Sequence, residues 1–157
     1  PFYTENDKKY RFMRDKVLKE QYFDLVFAMM EGKKYSQSER THQLFMSVDN
    51  IKTLHNSGHT IGLHSHSHPT QIYNLSYESQ LEEYKKNYDF ISSITQEKIN
   101  VMSHPCGNYN DDTLKILKSL GVKVGFRSSL TPSNVKSSLE IPREDHANII
   151  NQIKGKA

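Results

Sequence analysis

The sequence predicts an α/β fold in which helices alternate with short parallel strands. Each of three predicted helices is followed by a short apolar run, and these runs cover residues 60–64, 99–102 and 122–126. Alternation of this kind is typical of parallel sheets. Polar segments follow the ends of the runs, and one of them is rich in histidine. In parallel α/β folds the functional groups gather at these carboxyl ends, so we expect the site there.

The predicted helices have recognisable ends. Polar side chains stand where N-caps are needed and glycines stand where the helices stop: the caps are Ser47, Ser76 and Asn110, and the glycines are Gly58 and Gly121. Apolar residues recur at helical spacing, and those predicted to face inward are Leu81, Tyr84, Tyr88, Ile91, Leu114, Leu117 and Leu120. Two further helical pieces are predicted within residues 5–31, and a fourth short strand at 139–142.

The length and composition of the chain exclude several classes of protein. A chain of 157 residues is long enough for one domain with a buried core. The net charge of +3 comes from scattered lysines, without the basic stripe expected of a nucleic-acid partner. No apolar run reaches the roughly 18 residues of a membrane span. The single cysteine, Cys106, excludes an internal disulfide, and the bacterial cytoplasm and the cell envelope both stay open.

The segment 55–69 concentrates histidine. Five of the eight histidines fall within fourteen residues, and Pro69 ends regular pairing after them. Neutral imidazole nitrogens suit borderline metals such as zinc. His64 and His68 converge if the strand breaks into a turn between them, which predicts a metal site. The other interpretation is a solvated, histidine-rich loop.

This segment resembles the second motif of the polysaccharide deacetylase family, also called NodB-homology or carbohydrate esterase family 4. The family pattern Gly-His-x-Ile-Gly-x-His-Ser-x-x-His-Pro matches residues 58–69. The resemblance implies that His64 and His68 hold a divalent metal, with zinc the leading choice, and that Ser65 supports the loop. His66 falls at a variable position of the pattern, and we assign it to substrate binding as a hypothesis.

A second segment, 103–110, lies between a predicted strand and a capped helix. From the residues alone it is a tight loop whose backbone N–H groups could stabilise an oxyanion, or an ordinary strand–helix turn. It resembles the family's third motif at Pro105, Gly107, Tyr109 and Asn110. The resemblance implies that the first three bind substrate.

Two residues of this segment depart from the family pattern, His104 and Cys106. The resemblance assigns the backbone N–H at Cys106 to the oxyanion, a catalytic role that does not need a particular side chain. A cysteine near histidines can also be a nucleophile, but no orienting third group is evident. We expect the thiol of Cys106 to be small, buried and unreactive.

The segment 141–146 concentrates ionisable groups after a proline. It resembles the family's fourth motif, which implies that Arg143, with Asp145 beside it, orients the catalytic carboxylate. The other interpretation is a solvent-facing helix start, and no role is assigned to His146.

The family's first motif, Asp-Asp-Gly, and its last strand are missing from the sequence. The resemblance covers residues 44–145 and implies part of a distorted (β/α) barrel of the NodB-homology type. We therefore expect residues 1–45 to be a mostly helical insertion and residues 46–157 to be the central part of the deacetylase domain. The chain is expected to be a fragment, or a domain with a rearranged site, and to be inactive alone.

The resemblance implies a metal-dependent hydrolase that removes acetyl groups from an acetylated sugar or polysaccharide. Two alternatives stay open: a non-catalytic carbohydrate-binding module on the same scaffold, and an amidase acting on a non-sugar acyl amide. The sequence leaves the sugar, the type of acetyl bond and the oligomeric state undetermined.

Overall fold

The computed structural model describes residues 3–19, 21–35, 45–130, 135–144 and 146–155. Within the chain there are two compact units, Pro1–Ser47 and Val48–Ala157. Whether the first 45 residues are an insertion stays a prediction. In the described residues, no helix is long and apolar enough to cross a membrane.

The described part of the first unit is mostly helical, and none of the residues in its described helices is buried. Helix α1 (Glu5–Phe12) begins at Thr4, whose hydroxyl accepts a hydrogen bond from the Asp7 N–H, while the Asp7 carboxylate accepts one from the Thr4 N–H. This reciprocal pair satisfies two of the N–H groups that a helix start leaves without partners. A π-helical stretch (Met13–Leu18) and α2 (Gln21–Gly32) follow. The two predicted helical pieces are therefore present, with their apolar side chains half-buried or exposed.

The described helices of the second unit are α3 (Val48–Asn56), α4 (Tyr77–Thr95), α5 (Asp111–Ser119) and α6 (His146–Ile153). As predicted, the side chain of Ser76 caps α4 and that of Asn110 caps α5, each by accepting from an N–H in the first helical turn. Gly58 (φ +89°) and Gly121 (φ +83°) take the left-handed conformation after α3 and α5. Glycine adopts this backbone without strain, which explains where the two helices stop.

The sheet of the second unit is parallel and narrow. Strand β1 (Val101–Ser103) pairs with β2 (Val124–Phe126). Leu63 forms a parallel bridge to the far side of β1, and Ile141 forms one to the far side of β2. The order across the sheet is therefore Leu63, β1, β2, Ile141, and all four segments run the same way. This confirms the parallel α/β class.

The predicted strands were too long. The run at 60–64 pairs only at Leu63. After His64 the chain leaves the sheet, since Ser65 has a left-handed backbone (φ +66°). The run at 139–142 pairs only at Ile141, whose N–H donates to the Gly125 carbonyl and whose carbonyl accepts from the Arg127 N–H. Short pairing still fixes direction and register, and so it still sets where the loops begin.

The core lies between the sheet and the helices α4 and α5. Its buried members are Leu63, Ile72, Tyr84, Ile91, Ile99, Met102, Leu114, Ile116, Leu117, Val122 and Leu139. Of the residues predicted to face inward, four are in this set and the others, Leu81, Tyr88 and Leu120, pack against it half-buried. The apolar faces predicted for α4 and α5 are therefore confirmed, and these helices support the loops at the carboxyl edge.

Candidate active site

The candidate site lies at the carboxyl edge of the sheet. His64 follows the bridge at Leu63, and His104 follows β1. Backbone hydrogen bonds join the strand ends from which these residues follow. The Ser103 N–H donates to the Leu63 carbonyl (2.9 Å), and the His104 N–H donates to the Phe126 carbonyl (2.9 Å). The predicted convergence of strand ends at one edge is therefore present.

The histidine turn, His64–His68, brings the two predicted metal ligands together. The ring centroids of His64 and His68 are 4.9 Å apart, with the rings tilted by 53°. Ser65 (φ +66°) and His68 (φ +57°) both have left-handed backbones, which cost a non-glycine residue about 1–2 kcal/mol each. The Ser65 hydroxyl accepts from the His68 N–H (3.2 Å), so the supporting role expected of Ser65 has a physical basis.

The turn also fixes one imidazole tautomer. Nδ1 of His64 lies 2.7 Å from the carbonyl oxygen of Ser103, and a carbonyl can only accept, so Nδ1 carries the proton. Nε2 of His64 then keeps its lone pair. A backbone carbonyl holding the second ring nitrogen is the usual arrangement behind a metal-binding histidine.

These residues fit a divalent metal only in part. His64 and His68 offer two nitrogen donors at one place, both on exposed side chains. Among the described residues there is no group of three or more His, Cys, Asp or Glu that could hold a metal ion. Catalytic zinc sites usually have three protein ligands, so the two histidines by themselves are at least one donor short of such a site.

Helix α4 holds the histidine turn through two side chains that the sequence analysis missed. The Glu83 carboxylate accepts from the N–H groups of His66 (3.0 Å) and Ser67 (2.8 Å) and from the Ser67 hydroxyl (2.7 Å). The Asn87 side-chain oxygen accepts from the His64 N–H (2.9 Å). Their spacing of four residues places both on one helix face, which is the only sequence signal that could have identified them.

The proline loop, His104–Asn110, is the second loop of the edge. Pro105 is buried, whereas Gly107 is half-buried and left-handed (φ +68°). Cys106 between them is also left-handed (φ +54°), and its side chain is exposed. The prediction of a buried thiol was wrong, because Cys106 lies in a tight single turn outside the core.

His104 is buried within the proline loop, with 1% of its surface exposed. Its ring stacks on Tyr109 at 4.3 Å between centroids, and its Nε2–H donates to the Leu139 carbonyl (2.7 Å). Burial lowers the pKa of His104 below its ordinary value, against a smaller raising effect of the hydrogen bond to Leu139. Burial therefore favours the neutral form of His104, whose ring packs inside the fold.

Tyr109, predicted to bind substrate, has its hydroxyl engaged inside the protein. It donates to the Glu140 carboxylate (3.1 Å), which also accepts from the Lys136 N–H and the Ser137 hydroxyl. Burial raises the pKa of Tyr109, and the bond to Glu140 raises it further. Burial tends to raise the pKa of Glu140, but its three donors outweigh that and lower it. The half-buried Tyr109 ring remains the part that a substrate could touch.

Fewer contacts describe the other predicted site residues. His66 is exposed within the histidine turn. Arg143 is exposed two residues after the bridge at Ile141, at the same edge of the sheet. Asp145 lies outside the described residues. Sequence reasoning also missed Arg127, which follows β2, is only 7% exposed and donates to the Ser129 carbonyl (3.3 Å).

Comparison with solved structures defines the fold more closely. A Streptococcus pyogenes deacetylase, PplD, solved in complex with acetate, aligns with a TM-score of 0.61 at 17% identity, over 91% of this chain and 67% of that one. IcaB from Ammonifex degensii aligns with a TM-score of 0.58 at 17% identity, over 71% of this chain and 53% of that one. These similarities show that the chain forms part of a distorted (β/α) barrel of the NodB type.

A pseudoenzyme of carbohydrate esterase family 4 from Bacillus anthracis also aligns, with a TM-score of 0.47 at 22% identity. The alignment covers 50% of this chain but only 27% of that protein. The chain thus spans about a quarter of this relative and about half of IcaB. Among curated proteins, none matches the chain.

The sequence profile of the polysaccharide deacetylase family matches residues 14–125, which is more than half of the chain. The chain therefore belongs to the polysaccharide deacetylase family. Membership supports a hydrolase of the deacetylase class, and the family acts on acetylated carbohydrates.

Proposed function

We propose that this chain supplies part of the active site of a metal-dependent hydrolase that removes acetyl groups from an acetylated sugar. Family membership supports the reaction class. The observation that carries the metal assignment is the convergence of His64 and His68, whose ring centroids are 4.9 Å apart. The tautomer of His64, set by the Ser103 carbonyl, supports it further.

His64 would bind the metal through Nε2, and His68 through a ring nitrogen. A bound divalent ion, with zinc the leading choice, would polarise an acetyl carbonyl and lower the pKa of a bound water. The third protein ligand and the general base would be the two aspartates of the family's first motif, Asp-Asp-Gly, which the sequence given does not contain. With two histidines alone, the chain is expected to bind metal more weakly than a complete three-ligand site.

The proline loop would form one wall of the substrate groove. Pro105 and Gly107 fix its course, and the half-buried ring of Tyr109 offers a face against which a sugar can pack. The backbone N–H of Cys106 is the proposed donor to the oxyanion that develops as the acetyl carbon is attacked. This role uses the main chain, so the exposed thiol takes no part in it.

Three residues complete the proposed site. His66 would contact substrate from the histidine turn, where its side chain is exposed. Arg143 would orient the catalytic carboxylate, with Asp145 beside it. The exposure of Arg143 at the carboxyl edge supports this assignment.

Metal content measured by mass spectrometry on the purified chain tests the metal assignment. We expect zinc in the wild-type chain and none in the variant with both His64→Ala and His68→Ala. Equal zinc in both proteins would contradict the assignment. His59→Ala is a matched control, because His59 is an exposed histidine of the same segment outside the turn.

Acetate release from N-acetylglucosamine oligomers, compared with release from small acyl amides, tests the substrate class. Activity confined to the amides would favour the amidase. Sugar binding without acetate release would favour a non-catalytic carbohydrate-binding module, a second candidate suggested by the presence of only two clustered metal donors among the described residues.

A further inference from the structure

We propose that Glu83 and Asn87 of α4 are positioning residues for the metal centre. These two side chains hold the histidine turn in the conformation in which His64 and His68 can bind one metal ion. This inference rests on the proposed function of those two histidines, and it assigns a role to helix side chains outside the loops of the site.

The contacts are specific. Glu83 accepts three hydrogen bonds of 2.7–3.0 Å from the middle of the turn, two from backbone N–H groups and one from the Ser67 hydroxyl. Asn87 accepts one hydrogen bond of 2.9 Å from the N–H of His64, where the turn begins. Both side chains are half-buried, while the turn residues His66 and Ser67 are exposed. The half-buried side chains of α4 therefore hold the backbone of the turn, while the histidine side chains of the turn are exposed to solvent.

The turn needs this support because its backbone is strained. Ser65 (φ +66°) and His68 (φ +57°) are both in the left-handed region, which non-glycine residues keep only when the surroundings over-determine it. Ser65 is buried, but the side chains of the other four turn residues are exposed and contribute little packing. The N–H groups of the turn that donate to Glu83, to Asn87 and to the Ser65 hydroxyl therefore help to fix its backbone.

Two physical effects of Glu83 can be separated by substitution. As a hydrogen-bond acceptor it orients the turn, whereas as a negative charge it attracts a cation from a distance. Glu83→Gln keeps an oxygen that can accept from the two N–H groups and removes the charge. Glu83→Ala removes both, so comparing the two variants isolates the positioning effect.

The test measures Zn²⁺ and Co²⁺ affinity of the full chain by calorimetry and by the visible absorption of the Co²⁺ form. We expect Glu83→Ala to weaken binding about 10–100-fold, as losses of supporting hydrogen bonds around metal ligands do. Asn87→Ala should weaken it less, because one bond is lost instead of three. Glu83→Gln should recover most of the affinity. Glu82→Ala is the matched control, since Glu82 is the adjacent exposed glutamate and pairs with Lys86.

Either of two results would overturn the proposal. One is equal affinity in Glu83→Ala and Glu82→Ala. The other is binding by Glu83→Gln as weak as that of Glu83→Ala, which would make the charge the cause. Thermal melting of all variants separates these outcomes from a general loss of folding.

Amide hydrogen exchange in the metal-free chain distinguishes failure of this inference from failure of the proposed function. We expect faster exchange at His66 and Ser67 in Glu83→Ala, with no change in Glu82→Ala. Unchanged exchange in Glu83→Ala would overturn the positioning role whatever the metal result. A wild-type chain that binds no metal would instead refute the proposed function, and the exchange data would still test the support of the turn.

Discussion

The histidine turn and the proline loop begin alike and differ in almost everything else. Each starts with a histidine placed just after a segment of the same parallel sheet. The ring of His64 is exposed and its Nδ1 is bound by the Ser103 carbonyl. The ring of His104 is 1% exposed and its Nε2 is bound by the Leu139 carbonyl. One histidine offers a nitrogen to solvent, and the other is enclosed by the fold.

This difference teaches that residue type and position at a strand end do not define a functional histidine. Burial decides whether an ion can reach the ring at all. The carbonyl that binds the other nitrogen decides which lone pair is presented. By both criteria His64 is suited to metal and His104 to packing, although both follow adjacent strands.

The largest expected effect tests the first half of the comparison. Replacing both His64 and His68 by alanine should abolish measurable zinc binding while leaving the melting temperature nearly unchanged, because both side chains are exposed. Calorimetric titration and thermal melting of the same samples would measure this. A large fall in melting temperature would show that the turn is structural.

Removing the buried ring tests the second half. We expect His104→Ala to lower the free energy of unfolding by about 2–4 kcal/mol, since it leaves a cavity beside Tyr109 and a Leu139 carbonyl without its donor. Urea unfolding would measure the loss. The control His66→Ala, at an exposed position, should change stability by less than about 0.5 kcal/mol.

Acidification should distinguish the two loops through His104. Its folded pKa lies below the ordinary value of about 6.5 because of burial. The unfolded chain therefore takes up the proton first, and stability falls as pH drops below about 6.5 towards the folded pKa. The loss should be smaller in His104→Gln, which does not titrate. Identical pH profiles of unfolding free energy in the two proteins would contradict this.

The hydroxyl of Tyr109 is expected to have a smaller effect. Tyr109→Phe keeps the ring stacked on His104 and removes the donor to Glu140. We predict a loss of about 1 kcal/mol in unfolding free energy, the usual value of one hydrogen bond. Unfolding in urea at neutral pH is the measurement, and an unchanged midpoint would show that the bond contributes nothing.

The smallest effect concerns Cys106, the exposed residue of the proline loop. A disulfide reagent should modify about one thiol per folded chain without denaturant, because the sequence has a single cysteine and its side chain is exposed. The modification should barely change the melting temperature. Reaction only after unfolding would restore the prediction of a buried thiol.

Sequence reasoning was most successful where local chemistry decides the structure. The caps Ser76 and Asn110 and the glycine helix ends were all placed correctly, since they depend on neighbouring residues. The pairing of His64 with His68 was anticipated from their spacing and from Pro69. The metal they would hold, and the roles of the other site residues, stay predictions.

Sequence reasoning failed where the position or role of a residue depends on contacts with residues distant in sequence. Glu83 lies more than a dozen residues beyond the turn that it supports, and its helix spacing is equally that of a solvent-facing glutamate. The strand at 60–64 was overestimated because an apolar run does not reveal how long its partner is. Cys106 was misplaced because small apolar side chains usually go inside, whereas here the backbone turn decides.

Gly125 gives the sheet a constraint that no side-chain contact would reveal. A Cβ added there would lie 2.5 Å from the Leu139 carbonyl oxygen and 2.9 Å from its carbon, and backbone atoms cannot yield as a flexible side chain can. The same carbonyl binds the ring of His104. Any larger residue at 125 would push this acceptor away, so a mutational scan should find the position intolerant although it carries no chemistry. The chain segment around Leu139 can therefore lie against β2 only because Gly125 has no side chain.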